Sequence, residues 1–165
     1  MIIRPATESD KAAIATVHAA SWREAYRDIL PAAYLGNDVG NDLATQWHDR
    51  VVTKDDVVLV LEDPDIVGFI AVWCEPDPFI DNLHVLPERR SGGLGRQLMA
   101  HAASELIERD HASAHLWVLK DNRRARAFYG RIGGQEAETK TKPIFGHDLP
   151  HVKIVWTDLT SINAS

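Results

Sequence analysis

The spacing of apolar residues changes its period several times along the chain. Residues 2–4, which begin with two isoleucines and are followed by Pro5, predict a short strand. After it, apolar side chains recur three and four positions apart, which is the period of an amphipathic helix. Two or three helices are predicted in this region: one around Ile14, one around Trp22 and Tyr26, and one over residues 42–51.

From residue 57 onward the pattern is typical of β-structure. Residues 57–61 and 66–73 are rich in β-branched side chains and flank the turn-forming segment at residues 62–65, so they predict a hairpin. Residues 79–86 form a third such run, which Pro87 ends. Three consecutive strands are therefore expected in the middle of the chain.

The C-terminal half returns to alternating helices and strands. It predicts a helix over residues 94–108, a strand over 115–119, a helix over 122–132 and a closing strand over 152–156. Consecutive central strands with helices on either side of them in the sequence indicate an α/β (α+β) fold, with a mixed sheet covered by helices on both faces. No repeat or Gly/Ser linker interrupts the chain, so residues 1–165 are expected to form one domain.

Composition and charge narrow the classes of function. The net charge of −6 argues against a nucleic-acid binder, which normally carries a basic face, whereas a negative field would attract a cationic amine. No run of about 18 apolar residues exists and the N-terminus lacks the pattern of a secretory leader, so we expect a cytoplasmic protein without a membrane partner. Cys74 is the single cysteine and no Cys/His spacing is typical of zinc, so no metal is expected.

A glycine-rich segment between the third central strand and the next helix is the strongest indication of chemistry. It consists of Arg90, Ser91, Gly92, Gly93, Leu94, Gly95 and Arg96. Glycines at a helix start let several backbone N–H groups point to one place, and the helix N-terminus adds partial positive charge to that of the arginines. This combination suits a pyrophosphate group. The alternative is a tight turn in which the glycines serve backbone geometry alone.

Two motifs carry a resemblance to a known family. The segment lacks the endings and spacings of Walker A and dinucleotide-binding loops. Arg90, Gly93 and Gly95 instead match the Arg/Gln-x-x-Gly-x-Gly/Ala loop with which the GNAT superfamily of N-acetyltransferases binds the pyrophosphate of coenzyme A. A later segment is similar to the strand–helix region of the same family. Its matching residues are Asn122, Ala125, Phe128, Tyr129 and Gly133.

The resemblance implies an N-acetyltransferase that uses acetyl-CoA as its acetyl donor. The fold would be a mostly antiparallel mixed sheet with one splayed strand pair, where pantetheine hydrogen-bonds to the backbone of Leu83 and Val85. Asn122 matches a side chain that contacts pantetheine in the family, although Asn is also a favoured helix N-cap and both roles can coexist. Dimers are frequent in the family, so a homodimer is one state to expect.

Two residues are candidates for proton transfer. Tyr129 matches the tyrosine that, in the family, protonates the leaving thiolate, and packing beside Phe128 is its alternative role. Related enzymes place a general base at strand positions that match Phe79 and Asp81, and only Asp81 can accept a proton. Its alternative role is that of a hydrogen-bonded carboxylate at a strand end. By alternation, residues 79, 81, 83 and 85 share one face, and His84 points to the other, where a structural role is expected.

The acceptor side is predicted from aromatic residues of the N-terminal helices. Trp22 and Tyr26 are four positions apart and are candidates to line a pocket for a small primary amine, with core packing as the alternative. His18, nearby, is expected to be a surface or core residue. The amine would attack the thioester directly in a ternary complex.

Three other functions stay open at this point. The chain could acetylate protein N-termini or lysines, act as a non-catalytic acyl-CoA-binding regulatory domain, or bind another phosphorylated ligand. The presence of both Asp81 and Tyr129 favours an enzyme over a regulatory domain, because a binding domain needs neither a base nor an acid.

Overall fold

The computed structural model describes residues 1–90, 92–144 and 146–163. In those residues the strands are β1 Ile2–Pro5, β2 Val57–Glu62, β3 Ile66–Trp73, β4 Phe79–Val85, β5 Ala114–Leu119, β6 Gln135–Ile144 and β7 His147–Trp156. The α-helices are α1 Lys11–Ala25, α2 Val39–Asp49, α3 Leu94–Glu108, α4 Arg123–Arg131 and the short α5 Thr160–Asn163. A π-helical turn at Tyr34–Asp38 leads into α2.

The strands form one sheet in the order β1-β2-β3-β4-β5-β7-β6. β4 and β5 run parallel, and the other neighbouring pairs are antiparallel. The predicted mixed, mostly antiparallel sheet is therefore confirmed. Within the described parts of the chain, β4 and β5 pair only through Phe79 and His115, and the two strands separate beyond that point. The sheet thus contains the splayed strand pair that the resemblance implies.

Helices cover both faces of the sheet around its centre. On one face α1 packs against β3 and β4, and Ile14 joins Phe69 in a buried cluster. On the opposite face α3 packs against β2, β3 and β4, and Leu98 and Met99 join Ile70. These two sides of the sheet are called the α1 face and the α3 face below.

The N-terminal helices differ from the prediction. Trp22 lies in the last turn of α1 and Tyr26 follows directly, so one helix replaces the two that were predicted. No Gly or Pro separates Ile14 from Trp22, and the intervening alanines favour an uninterrupted helix. α2 begins at Val39 rather than at residue 42, because the preceding turn continues directly into it.

β6 is a strand that the apolar pattern does not predict. Its ten residues are mostly polar and exposed, and they pair with β7 at the edge of the sheet. Backbone hydrogen bonds to one neighbour are enough to hold such an edge strand, so no apolar face marks it in the sequence. β7 correspondingly begins at His147 and is longer than the predicted strand at residues 152–156.

A β-bulge in β4 changes which side chains share a face. β3 pairs Val72 with Ile80 and Ala71 with Asn82, so Asp81 is the extra residue between them. Val72 and Ile80 belong to the core on the α3 face, whereas Ala71 belongs to the core on the α1 face. The alternation of side chains along β4 is therefore reversed at Asp81.

The prediction that residues 79, 81, 83 and 85 share one face of the strand is wrong because of this reversal. Leu83 and Val85 pair with residues opposite them in β3 and contribute to the core on the α3 face. His84 pairs with Phe69 and stacks near it on the α1 face. Asp81 and His84 were expected on opposite faces, but the bulge brings both to the α1 side of the strand.

Candidate functional site

A cavity of about 1180 Å³ opens where β4 and β5 separate. One end lies at the turn before α3, and the other end lies against α1 and α2. Single drug-sized ligands occupy pockets of roughly 300–1000 Å³. The cavity exceeds the upper end of this range, so it can hold a ligand larger than a single drug-sized molecule.

Most of the predicted site residues lie on the wall of this one cavity. They are Trp22, Tyr26, Asp81, Leu83, Val85, Arg90, Gly93, Leu94, Gly95, Arg96, Asn122 and Tyr129. Gly92 is exposed in the adjacent turn, and Ser91 lies outside the described residues. The structure thus brings together residues from α1, β4, α3 and α4 that are far apart in the sequence.

The turn before α3 has the backbone form of an anion site. Gly93 is the N-cap of α3 and has a φ of +73°, in the left-handed region that favours glycine. A Cβ at Gly93 would meet nothing within 4 Å, so the glycine serves the backbone conformation rather than the space around it. Leu94, Gly95 and Arg96 follow in the first turn of α3, where backbone N–H groups have no partner inside the helix.

The guanidinium of Arg90 is bound within the protein. Its Nε donates a hydrogen bond to the carbonyl oxygen of Val85 at 3.1 Å, and an Nη atom donates to Oγ of Ser21 at 3.2 Å. The other Nη atom forms an ion pair with Glu24. Arg90 thereby ties the loop to α1 and to the end of β4, and Glu24 offsets its charge. Arg96, by contrast, has no carboxylate within ion-pair distance among the residues described.

Asn122 caps α4 at the same wall. Its Oδ1 accepts a hydrogen bond from the backbone N–H of Ala125 at 3.1 Å, so the side chain satisfies one of the free donors at the helix start. The capping role is thus observed directly. A contact between Asn122 and pantetheine stays a prediction.

Tyr129 is half-buried beside two aromatic rings. The ring of Phe128 lies edge-on to it with centroids 5.2 Å apart, and that of Trp156 lies edge-on at 5.8 Å. Burial raises the pKa of Tyr129 to about 12. The phenol is therefore protonated at neutral pH and can donate a hydrogen bond to a group in the cavity.

The carboxylate of Asp81 is held by two donors at the bulge. Nε1 of Trp73 donates to Oδ2 at 2.9 Å, and Nδ2 of Asn82 donates to the same oxygen at 3.1 Å. The guanidinium carbon of Arg50 lies 3.7 Å from the centroid of the Trp73 ring. All four residues line the cavity, and Asp81 is exposed to it.

Two histidines that were expected to be structural or surface residues also line the cavity. The rings of His18 and His84 lie 4.6 Å apart. Nε1 of Trp47 donates to Nδ1 of His18 at 3.1 Å, so neutral His18 carries its hydrogen on Nε2. Burial lowers the pKa of His18 to about 4 and holds the pKa of His84 well below its ordinary value. Both imidazoles are therefore neutral at physiological pH.

The sequence indicates that His18 lies on the same side of the cavity as Trp22, but it gives no such indication for His84. His18 precedes Trp22 by four residues, and this spacing places both on one side of a helix. His84 could not be predicted to face the same space, because the bulge that turns it there leaves no mark in the apolar pattern.

Trp22 and Tyr26 lie at the α1 end of the cavity. Their ring centroids are 4.8 Å apart, and Trp22 meets His18 edge-on at 5.9 Å. Burial raises the pKa of Tyr26. Aromatic rings therefore form a wall opposite β4, and a contact between this wall and an acceptor stays a prediction.

The described ranges contain neither a metal-binding cluster nor a membrane-spanning helix. No group of three or more His, Cys, Asp or Glu side chains in the described ranges is arranged to hold a metal ion. Nor does any helix in those ranges combine the length and apolar character needed to cross a membrane.

Comparison with known proteins gives a consistent result. A family model described as the acetyltransferase (GNAT) family matches residues 19–134. The uncharacterized N-acetyltransferase YuaI of Bacillus subtilis is 28% identical over 166 residues, which cover 97% of this chain and 95% of YuaI. An uncharacterized N-acetyltransferase of Archaeoglobus fulgidus is 38% identical over 119 residues, which cover 64% of this chain and 76% of that protein.

The fold is also found among solved structures. The crystal structure of PaiA N-acetyltransferase from Thermoplasma acidophilum, in complex with coenzyme A, matches with a TM-score of 0.70. The match covers 92% of this chain and 96% of PaiA. The sequence identity is 19%, so the likeness concerns the fold.

Proposed function

Because this chain belongs to the acetyltransferase (GNAT) family and is an N-acetyltransferase, we propose that it transfers an acetyl group from acetyl-CoA to the primary amine of a small molecule while both are bound. One observation carries the proposal. A single cavity is lined by the glycine turn at the start of α3, by Tyr129, by the carboxylate of Asp81 and by the aromatic rings at the end of α1.

The α3 end of the cavity suits coenzyme A. The first turn of α3 offers N–H groups and the side chain of Arg96 for a pyrophosphate. PaiA, which is similar in fold, was solved in complex with coenzyme A. Among the residues described, β4 has no β5 partner beyond Phe79, which supports a role for the backbone of Leu83 and Val85 in holding pantetheine. When bound, acetyl-CoA supplies the acetyl thioester.

The other end of the cavity suits the acceptor. Asp81 accepts the proton that the ammonium must lose before it can attack, either directly or through a water molecule. Trp73 and Asn82 hold Oδ2 of this carboxylate in place. Trp22 and Tyr26 form the apolar wall against which the body of the amine packs.

Tyr129 interacts with the sulfur of the leaving thiolate. Its phenol is protonated because burial raises its pKa to about 12. It donates a hydrogen bond that stabilises the thiolate as negative charge develops there. The larger share of the rate gain comes from holding the amine and the thioester together in one cavity.

A small amine is favoured over a polypeptide acceptor. The rings of Trp22, Tyr26 and Trp47 line the acceptor end and leave a walled space, whereas a polypeptide needs an open groove. Asp81 and Tyr129 on the wall of the same cavity favour catalysis over a purely regulatory role for the bound acyl-CoA.

The proposal is tested by offering acetyl-CoA with a panel of small primary amines and a panel of peptides, while released thiol is monitored. We expect turnover with small amines. Turnover with peptides alone would overturn the small-molecule acceptor, and tight coenzyme A binding without turnover on any amine would favour the regulatory alternative.

Binding of the donor is tested separately by thermal unfolding. Coenzyme A at about 100 times its dissociation constant should stabilise the protein by roughly 2.7 kcal/mol. Arg96→Gln should weaken this binding by about tenfold, since it removes a charge-assisted contact. Arg89→Gln is the matched control, because Arg89 pairs with Asp63 away from the cavity. An unchanged melting temperature in the wild type would refute the donor assignment.

A further inference from the structure

A basic cluster surrounds one tryptophan at the edge of the cavity. Nζ of Lys142 lies 4.0 Å from the centroid of the Trp117 ring, Nζ of Lys140 lies at 5.5 Å and Nζ of Lys153 at 5.9 Å. Trp117 lies on β5 and lines the cavity, whereas the lysines come from β6 and β7. Three ammonium groups around one indole concentrate positive charge in a chain whose net charge is −6.

One carboxylate compensates only part of this charge. Glu138 lies 3.7 Å from Lys140 and 3.6 Å from Lys153. Lys142 has no carboxylate within 4 Å among the described residues, although it is the lysine nearest to the ring. Burial, followed by repulsion from Lys140 and Lys153, lowers the pKa of Lys142. An anion bound at Lys142 would stabilise its charged form by direct electrostatic attraction.

The cluster lies on the same side of the sheet as Asp81. Trp117 pairs with Lys153 across β5 and β7, and it alternates with Leu116 and Val118, which belong to the core on the α3 face. Trp117 therefore points to the α1 side, across the gap between β4 and β5 from the bulge. The negative charge of Asp81 acts to raise the pKa of Lys142, against the effect of burial. This attraction is a second sign that the two groups face a common space.

We propose that the acceptor is an amine that also carries a carboxylate, which binds at Lys142 beside Trp117 while its amino group faces Asp81. This inference rests on the proposed function, since it names the acceptor class of the same cavity. The local charge supports it: three lysines surround Trp117. Among the described residues, the only carboxylate within ion-pair distance of these lysines is Glu138, which pairs with Lys140 and Lys153 but not with Lys142. A purely cationic amine would be repelled by this cluster, whereas an amino acid presents each charge to its opposite.

The test compares matched pairs of acceptors. Glycine, β-alanine, 4-aminobutyrate and L-phenylalanine are each offered beside their primary amides, and kcat/KM is measured with saturating acetyl-CoA. The amide keeps the amine and the size but lacks the negative charge. We expect at least one acid to exceed its amide by about tenfold or more, as a charge-assisted contact of ordinary strength would give.

Variants then locate the contact. Lys142→Met keeps most of the unbranched side chain and removes its charge, and it should lower the ratio of acid to amide by about tenfold or more. Lys142→Arg should keep most of that ratio. Lys140→Met should lower the ratio less than Lys142→Met does, because Lys140 already pairs with Glu138 and lies farther from the ring. Binding of the preferred acid to the coenzyme A complex, measured by calorimetry, should weaken in Lys142→Met in parallel.

The possible outcomes separate this inference from the proposed function. Amides that serve as well as their acids, or a Lys142→Met variant with an unchanged ratio, would overturn the carboxylate site while leaving the acetyltransferase intact. Turnover with acidic peptides but not with free amino acids would also overturn it. Failure of every amine, acid or amide, would instead contradict the proposed function.

Discussion

Trp73 donates its indole hydrogen to Oδ2 of Asp81 at 2.9 Å, across the bulge that separates the two halves of β4. Asn82 donates to the same oxygen. Both donors therefore bind Oδ2 of the carboxylate. Because they leave Oδ1 without either hydrogen bond, we expect Oδ1 to take up the proton. These hydrogen bonds hold the carboxylate on the α1 face, where Trp22 and Tyr26 also line the cavity.

The first prediction follows from this arrangement. Asp81→Asn keeps the shape and removes the charge, so kcat/KM for the acceptor should fall by about 10² to 10⁴ if Asp81 is the general base. The acidic limb of the pH profile of kcat/KM should change with it. Trp73→Phe removes one donor but leaves the carboxylate, so its effect should be smaller. A pH profile that Asp81→Asn leaves unaltered would assign Asp81 to a structural role.

The second prediction concerns His18 and the pH dependence of stability. Its pKa falls from 6.5 to about 4 in the folded protein because the ring is buried. Below pH 6.5 His18 binds a proton in the unfolded chain, whereas in the folded protein it stays neutral down to about pH 4. The free energy of unfolding should therefore decrease as the pH falls toward 4. The full loss from this group is roughly 3 kcal/mol, and buried His84 should add to it in the same direction.

His18→Asn isolates this contribution. The Asn side chain keeps an acceptor for Trp47 but does not titrate, so the difference in unfolding free energy between about pH 7 and about pH 5 should shrink by roughly 2 kcal/mol. Urea unfolding at the two pH values measures it. An equal difference in the variant and the wild type would show that His18 is protonated in the folded state too.

Elements with strong local patterns could be predicted from the sequence. The predicted bounds of α3, residues 94–108, agree with the structure because its apolar stripe and the glycine turn before it are both local features. β6 could not be predicted in this way. Its polar residues are held by backbone hydrogen bonds to β7, the next strand along the chain, and backbone pairing leaves no apolar pattern in the side chains.

The candidate site likewise combines local features that the sequence reveals with tertiary contacts that it does not. The loop at residues 90–96 is contiguous, so its motif is visible in the sequence. The ion pair of Arg90 joins residues 66 positions apart, and the bulge at Asp81 depends on the register with β3. Both arise from tertiary contacts. Neither the pairing of Arg90 with Glu24 nor the presence of His84 in the cavity could therefore be derived from spacing.

The third prediction concerns the conformation of Gly93. Its φ of +73° is costly for residues with a Cβ, whereas no atom lies near enough to clash. Gly93→Ala should therefore lower the free energy of unfolding by about 1–2 kcal/mol through backbone strain alone. Gly93→Asn should cost less, because Asn tolerates the left-handed region.

Gly95→Ala is the control for this series. A Cβ at Gly95 would lie 3.7 Å from Phe128, an ordinary contact, and alanine favours the helix, so stability should be unchanged or raised by up to about 1 kcal/mol. Chemical unfolding of the three variants checks the order. Equal stability of Gly93→Ala and the wild type would contradict the strained turn.

The last prediction concerns Tyr129. A thiol has a pKa of about 8.5, and the pKa of Tyr129 is about 12. Complete transfer of the phenolic proton to a thiolate would therefore be unfavourable by about 5 kcal/mol. A hydrogen bond from the phenol to the developing charge involves no such cost and is worth about 1.5–3 kcal/mol.

Tyr129→Phe removes this hydrogen bond and keeps the ring against Phe128 and Trp156. We expect kcat to fall by about 10- to 100-fold, while the affinity for acetyl-CoA, measured by calorimetry, changes little. Phe128→Leu is the control for packing, since it alters the neighbouring ring but leaves the phenol. Because the pKa of Tyr129 is so high, the wild-type kcat should show no basic limb from this residue below about pH 10. Weakened acetyl-CoA binding with normal kcat at saturation would make Tyr129 a binding residue, and normal values of both would leave it a packing residue.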